Sequence, residues 1–353
     1  MIKLDKGAKD PLYLQVKVGL LAQINRGAFI PDKPIPTERE LADALGLSRL
    51  TVRRSIVELA QQGLVRRIPG RGTFIIPGAA KSPMKSVSLV MASEQIPYEL
   101  SGPFFMHLLI GLYNAIQPAT LALRGVGNSS MQMCDSQGIV ALWVLEQQKL
   151  KEIAALGIPL VGYECAPDPA APAFDNISHA NEGGSYAAAS SLISLGHTDI
   201  GMIMHPTTVA GERRAGFARA MHQHGLPLPP ERIYASMATS EAGYALGRRL
   251  FLDPSKVPTA LLCTDDTIAY GVLAAAQELG RTVPGFLSIV GFGDLGQFTS
   301  PALSSVRMNI AASGREAVRL LKERSANPAL PPRSVVLPTE FIRRASCGLP
   351  RAN

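Results

Sequence analysis

The chain has 353 residues, with 35 Lys and Arg against 28 Asp and Glu, a formal net charge of +7 at pH 7. Its 46% hydrophobic content suffices for more than one core, and no uninterrupted apolar run reaches the roughly 18 residues of a membrane span. The mixed charge of Met1 to Lys6 is unlike a signal peptide, and Cys134, Cys165, Cys263 and Cys347 show no paired spacing for a metal site, so a reduced cytoplasmic protein without metal or cofactor is expected.

The first informative stretch begins at Ile35. Thr37-Glu38-Arg39-Glu40 reads as a capping box that opens a helix carrying Leu41 and Leu45 on one face. A Gly46-Leu47 turn follows, and Ser48 caps a second helix whose Val52, Ile56 and Leu59 fall at helical spacing and face a core. Arg49, Arg53 and Arg54 point elsewhere. Two short helices joined by a tight turn, with arginines opening the second, have the layout that enters a DNA major groove.

Gly63 marks the end of the second helix. Leu64 to Ile68 and Thr73 to Ile76 read as two strands about the Pro69-Gly70-Arg71-Gly72 turn, a hairpin with Arg66, Arg67 and Arg71 near its tip. Residues 1–76 hold 13 Lys and Arg and 7 Asp and Glu, a net of +6, so residues 77–353 carry only about +1 of the total +7. The positive excess therefore sits where a polyanion would bind. The alternative is a set of arginines that merely solvate a surface.

Pro11-Leu12-Tyr13, Pro36 to Ala42, Ser48 to Arg53 and Gly70 to Phe74 together resemble, in order and spacing, the GntR family of winged-helix regulators. Thr37 stands for the family Ser, and it too caps well. The resemblance implies DNA contacts from Arg39, Ser48, Arg49, Thr51, Arg53, Arg66, Gly70 and Arg71.

Residues 77–85 are small, polar and rich in Pro and Gly, as an exposed linker would be. Beyond them the chain alternates apolar strands (87–91, 139–143, 159–163, 200–204, 260–263, 287–291) with helices (105–116, 184–195, 212–224, 241–251, 266–279, 312–324). That order predicts parallel sheets covered on both faces. His107, His179, His197, His205, His222 and His224 form no recognisable ligand set, and His197 is expected in a turn before a strand.

Leu195-Gly196-His197-Thr198-Asp199-Ile200, Arg213 to Phe217, Thr264 to Gly271, Gly291-Phe292 and Pro301 to Val306 resemble the effector domain of the LacI family, which is similar to periplasmic sugar-binding proteins. The implied α/β fold is an N-terminal winged helix-turn-helix domain (1–76) and a two-lobed, periplasmic-binding-protein-like effector-binding and dimerisation domain (86–353) with parallel sheets. Its first lobe would take about 86–164 and 310–330, and its second about 165–309 and 331–345. A ligand cleft between the lobes would be served by Phe104, Phe105, Arg213, Asp265 and Asp266. For each the sequence leaves a plainer role open: a helix-surface arginine at 213, a helix cap at Asp266, core packing for one of the two phenylalanines.

The pocket departs from the family pattern. Gly293 stands where the family has a ligand-binding Asp, with Asp294 one residue later, and Ala180 occupies an expected polar position. Residues 125–138 are too short for the usual helix. The expected function is a ligand-responsive transcriptional regulator, a homodimeric repressor released from pseudo-palindromic operator DNA by a sugar-like molecule. The other class of reading is a small-molecule binding or transport-associated protein with no DNA role. No nucleophile and base, metal cluster or phosphate-cradling loop indicates an enzyme.

Overall fold

The computed structural model describes residues 2, 4–7, 10–25, 27–30, 33–61, 64–76, 84, 86–91, 102–116, 120–125, 136–143, 146–165, 173–206, 208–296 and 299–351. Gly63, the 77–83 stretch of the linker, residues 126–135 with Cys134, and Phe298 lie outside them. The chain divides into two compact units, Met1–Ser101 with Leu108–Ile177 and Ala311–Val335, and Gly102–His107 with Ser178–Ile310 and Val336–Asn353.

The head, within the first unit, runs α1 (Leu12–Asn25), β1 (Pro34–Ile35), α2 (Glu38–Leu45), α3 (Arg49–Gln61), β2 (Val65–Ile68) and β3 (Gly72–Ile75). The capping box forms as the sequence predicts: Thr37 Oγ1 accepts the Glu40 N–H at 3.2 Å, and Glu40 Oε2 accepts the Thr37 N–H at 2.7 Å. Gly46 closes α2 at φ 64, where its N–H reaches the Ala42 carbonyl; a side chain there would be strained in the left-handed region. Val16, Leu20 and Leu21 of α1 bury against Leu41, Val52, Ile56, Leu59 and Val65. Local patterning singles out neither α1 nor the short β1, which pairs antiparallel with β3 and completes a three-stranded sheet ordered β1-β3-β2.

The rest of the first unit is built on β4 (Ser86–Met91), β5 (Thr120–Gly125), β6 (Gly138–Leu142), β7 (Leu160–Tyr163), β8 (Asp175–His179) and β14 (Ser334–Leu337), in the order β14-β8-β7-β6-β4-β5. The helices α4 (Pro103–Ile116), α5 (Gln147–Ala155) and α10 (Ile310–Ala326) lie between or after these strands in sequence. Strands β4 to β8 pair in parallel, and β6 and β7 are buried along their whole length. That burial accounts for their unbroken apolar runs. Strand β8 pairs with β7 as far as Ile177, and there the chain leaves the first unit. The charge at the start of β8 is buried but not isolated. Asp175 accepts both Nε and Nη2 of Arg324 at 2.9 Å and the Arg333 N–H at 2.8 Å. Burial opposes its ionisation, and the two arginines outweigh that and hold the carboxyl below its usual range.

The second unit repeats the arrangement. Its strands are β9 (Ile200–Met204), β10 (Ile233–Ala235), β11 (Ala260–Cys263), β12 (Ser288–Gly293), β13 (Ser304–Met308) and β15 (Thr339–Ile342), ordered β10-β9-β11-β12-β13-β15. All pair in parallel except β15, which runs antiparallel to β13. Helices α6 (Asn181–Ser194), α7 (Thr208–Gln223), α8 (Ser240–Leu250) and α9 (Asp266–Glu278) accompany them. Ile268, Ala269, Val272, Ala275 and Ala276 of α9 pack with Leu261, Cys263 and Ile289 in one apolar cluster. Cys263 is fully buried there, and desolvation pushes its thiol far above its ordinary range, as expected of an inert core cysteine. His197 lies between α6 and β9, fully buried, with Nδ1 2.8 Å from Thr259 Oγ1 and Nε2 3.1 Å from the Gly348 carbonyl.

Candidate nucleic-acid interface and effector site

Helix α3 sorts its residues cleanly. Val52, Ser55, Ile56 and Leu59 are buried, while Arg49, Leu50, Arg53 and Arg54 are exposed. Ser48 Oγ accepts the Thr51 N–H at 3.2 Å and lies 2.8 Å from Thr51 Oγ1, so both hydroxyls help to close the helix start. Arg54 is engaged within the head: its guanidinium sits 3.6 Å above the Tyr13 ring and pairs with Glu58 at 3.5 Å. Arg49 and Arg53 have no ion pair among the described residues and stay exposed. Solvent-facing guanidinium donors of this kind can address phosphate or base edges.

In the hairpin, Arg66 pairs opposite Phe74 and Arg67 opposite Thr73. Arg67 is held back by Glu38 at 2.8 Å, leaving Arg66 and Arg71 as exposed cations beside the turn, where Gly70 adopts φ 71. Among the described residues Arg39 pairs only with Asp43, at 3.7 Å, both side chains largely exposed. Such a pair contributes little in water and yields readily to a phosphate.

The effector residues expected from the sequence all fall in the second unit, which takes in the start of α4 with Phe104 and Phe105; Arg213, Asp265 and Asp266 gather near the carboxyl ends of β11 and β12, where open α/β sheets bind ligands. Arg213, on α7, is only 9% exposed, which rules out the plain helix-surface role. Its Nε donates to Asn181 Oδ1 at 2.9 Å, Nη1 donates to the Thr264 carbonyl, and the guanidinium stacks 3.7 Å from the Phe292 ring. Asn181 in turn donates Nδ2 to Glu212 Oε2 at 3.0 Å. Ala180, where a polar residue is expected, immediately precedes α6, and Asn181 is the first residue of that helix. The fold also brings Asn181 and Phe292 beside Arg213 and His205 near Asp265, a grouping that no local spacing in the sequence announces.

The two aspartates divide their tasks differently from the expectation. Asp265, not Asp266, caps α9, accepting the Thr267 N–H at 2.7 Å. Burial raises its carboxyl above the ordinary range, against the Thr267 hydrogen bonds and the charges of Arg213 and His205. Asp266 is the first residue inside the helix and is almost wholly buried. It accepts the Leu295 N–H at 2.8 Å and the Ser305 hydroxyl at 2.7 Å, which ties the β12–β13 connection to α9. Burial raises its carboxyl to about 7, with the charges of Asp265 and Asp294 adding to the rise. His205 is shifted the other way for a base: burial lowers it, with Asp265 partly opposing.

Gly293 carries φ 133, and a side chain there would meet Leu295. The following Asp294 is bound by Arg307 Nε and Arg344 Nη1, each at 2.7 Å. Burial disfavours its charge, but the two arginines hold the carboxyl below its usual range. The nearby carboxylate is thus already committed within the unit. Phe105 is 2% exposed and belongs to the core, whereas Phe104 is half-buried. Of the two rings only Phe104 retains surface for a ligand. Among the described residues no group of His, Cys, Asp and Glu could hold a metal ion, and no helix is long and apolar enough to cross a membrane.

Residues 12–75 match bacterial regulatory proteins of the gntR family, and residues 189–347 match a periplasmic binding protein-like domain. The chain is 26% identical over 347 residues to the arabinose metabolism transcriptional repressor of Geobacillus stearothermophilus, covering 88% of this chain and 90% of that protein. It is 38% identical over 145 residues to the HTH-type transcriptional repressor PurR of Actinobacillus pleuropneumoniae serotype 5b, covering 40% of this chain and 43% of that one. Among solved structures, a LacI transcriptional regulator from Bacillus cereus subsp. cytotoxis superposes with a TM-score of 0.68 at 27% identity, over 75% of this chain and 98% of that one. The chain therefore joins a GntR-type helix-turn-helix domain to a periplasmic binding protein-like domain, and its homologues are transcriptional repressors.

Proposed function

We propose that this chain is a ligand-responsive transcriptional repressor that binds a pseudo-palindromic operator as a homodimer and is released by a small sugar-like molecule. The observation that carries the reading is the pair Arg49 and Arg53, exposed and without ion pairs among the described residues at the start of α3, beside the exposed Arg66 and Arg71 of the hairpin. The first turn of α3 would read base edges in the major groove, while Arg39, Ser48, Thr51 and the Gly70 turn would lie along the backbone. A single winged helix buries too little surface for specific affinity, so two half-sites and two heads are required. Arg213, Asp265 and Phe104 are the side chains assigned to the effector, with Asn181, His205 and Phe292 supporting them. An effector releases DNA only to the extent that it binds the released state more tightly. The role is binding rather than catalysis, and it belongs in the cytoplasm with the chromosome.

The test is selection of full-length protein on random-sequence duplexes, followed by release assays with a panel of pentoses, hexoses and their phosphates. Enrichment of an inverted repeat and its release by one compound are expected. Failure to enrich any sequence would overturn the DNA-binding reading, and a monomer saturating a single half-site at full affinity would overturn the dimer.

A further inference from the structure

Helix α3 carries one exposed residue that phosphate binding does not call for. Leu50 is 76% exposed, the most exposed large hydrophobic side chain of the head among the described residues. At about 100° per residue, the buried positions Val52, Ser55, Ile56 and Leu59 form one stripe, and Leu50 projects roughly opposite its centre. Arg53 and Arg54, three and four residues on, flank it on the same face, and Arg49 precedes it. An apolar side chain thus stands in the middle of the cationic face, in the first turn of the helix that would enter the groove.

Leucine offers no donor or acceptor. Against most of the major-groove edge it would strip water from base nitrogens and oxygens and return no hydrogen bond. The thymine C5-methyl is the feature of that edge that gains from an apolar neighbour. Thr51 is less exposed than Leu50, and its hydroxyl lies 2.8 Å from Ser48 Oγ at the helix start. We propose that Leu50 is a specificity-determining residue that packs on the methyl group of one thymine in each half-site, next to bases or phosphates held by Arg49 and Arg53. The inference rests on the DNA-binding reading above and adds to it the identity of one base.

In the experiment, full-length protein is first used to select its site from random DNA. Each thymine of that site is then replaced in turn by deoxyuridine, which removes the methyl group and leaves every hydrogen-bonding atom in place. Wild-type protein should lose about three- to fivefold in affinity per half-site at one symmetry-related position, the change expected when one methyl-sized apolar surface returns to water. Leu50→Ala should bind the thymine and uracil versions of that site equally. Because Leu50 is on the surface, the variant is expected to fold, and the retained affinity of its uracil site confirms this. A selected site that is indifferent to every methyl, or a methyl effect that persists in Leu50→Ala, overturns the assignment while leaving DNA binding intact. Failure to select any site instead removes the reading on which it rests.

Discussion

Ser305 sits between two aspartates. Its hydroxyl donates to Asp266 Oδ1 at 2.7 Å and accepts the backbone N–H of Asp294 at 3.0 Å. One hydroxyl therefore couples the buried start of α9 to the connection that follows β12, the stretch where Gly293 and Asp294 depart from the family pattern. Asp266 has a folded-state value near 7 against an ordinary value of 3.8, so the folded protein holds this proton more tightly than the unfolded chain. The resulting stabilisation is full below about pH 4 and is lost as pH rises towards and through 7. In Asp266→Asn the side chain no longer titrates. The melting temperature of wild type relative to that variant should fall as pH rises from about 4 to 8, and a gap unchanged with pH would refute the buried-acid assignment.

His197 works in the opposite direction. Burial lowers its basicity below the ordinary value of 6.5, against the hydrogen bond to the Gly348 carbonyl. The unfolded chain then binds the proton more readily, so the stability associated with the neutral ring is present above about 6.5 and is lost as pH falls below it. His197→Gln should unfold at lower temperature than wild type at pH 8, by the equivalent of roughly 1–3 kcal/mol for buried polar groups left without their partner. The difference should narrow at pH 5. Thermal scans at the two pH values read this directly.

Arg213 donates to Asn181 and to the Thr264 carbonyl, and its face is covered by Phe292. Lysine would keep the charge but lose the planar fork and the stacking. Arg213→Lys should bind operator DNA as wild type does while requiring about 10-fold to 100-fold more effector for release, the effect typical of truncating a charge-assisted hydrogen bond. Equal effector affinity by calorimetry would remove Arg213 from the site and leave it as an internal brace of the second unit.

In the head, Arg49→Ala or Arg53→Ala should cost about 1–3 kcal/mol at the preferred operator if the side chain reads a base. Arg66→Ala and Arg71→Ala should weaken all sequences alike and lower the slope of log affinity against log salt by about one for each phosphate no longer neutralised. Binding titrations at several salt concentrations on specific and scrambled duplexes separate the two patterns. An unchanged affinity in the folded Arg49→Ala, Arg53→Ala double variant would remove α3 from the interface.

Local rules of the chain make much of this molecule legible without coordinates. The Thr37–Glu40 box, the Gly46 turn, the Ser48 cap and the 3.6-residue spacing of Val52, Ile56 and Leu59 act within a few residues, so sequence alone determines the helix-turn-helix and its arginine face. The near-continuous apolar strands likewise predict buried parallel sheets. The tertiary structure decided what depends on distant partners. The two-residue β1 and three-residue β10 are too short to announce themselves, β15 lacks the unbroken apolar run of the buried strands, and all three exist through pairing with β3, β9 and β13. The same holds for the site. Whether Asp265 or Asp266 caps α9 turned on where Ser305 and the Leu295 N–H lie, and those groups are about 30 to 40 residues away in sequence. That Arg213 is buried on Phe292, and that Asp294 is neutralised by Arg307 and Arg344, follow from sheet order, which brings together side chains that no local spacing relates.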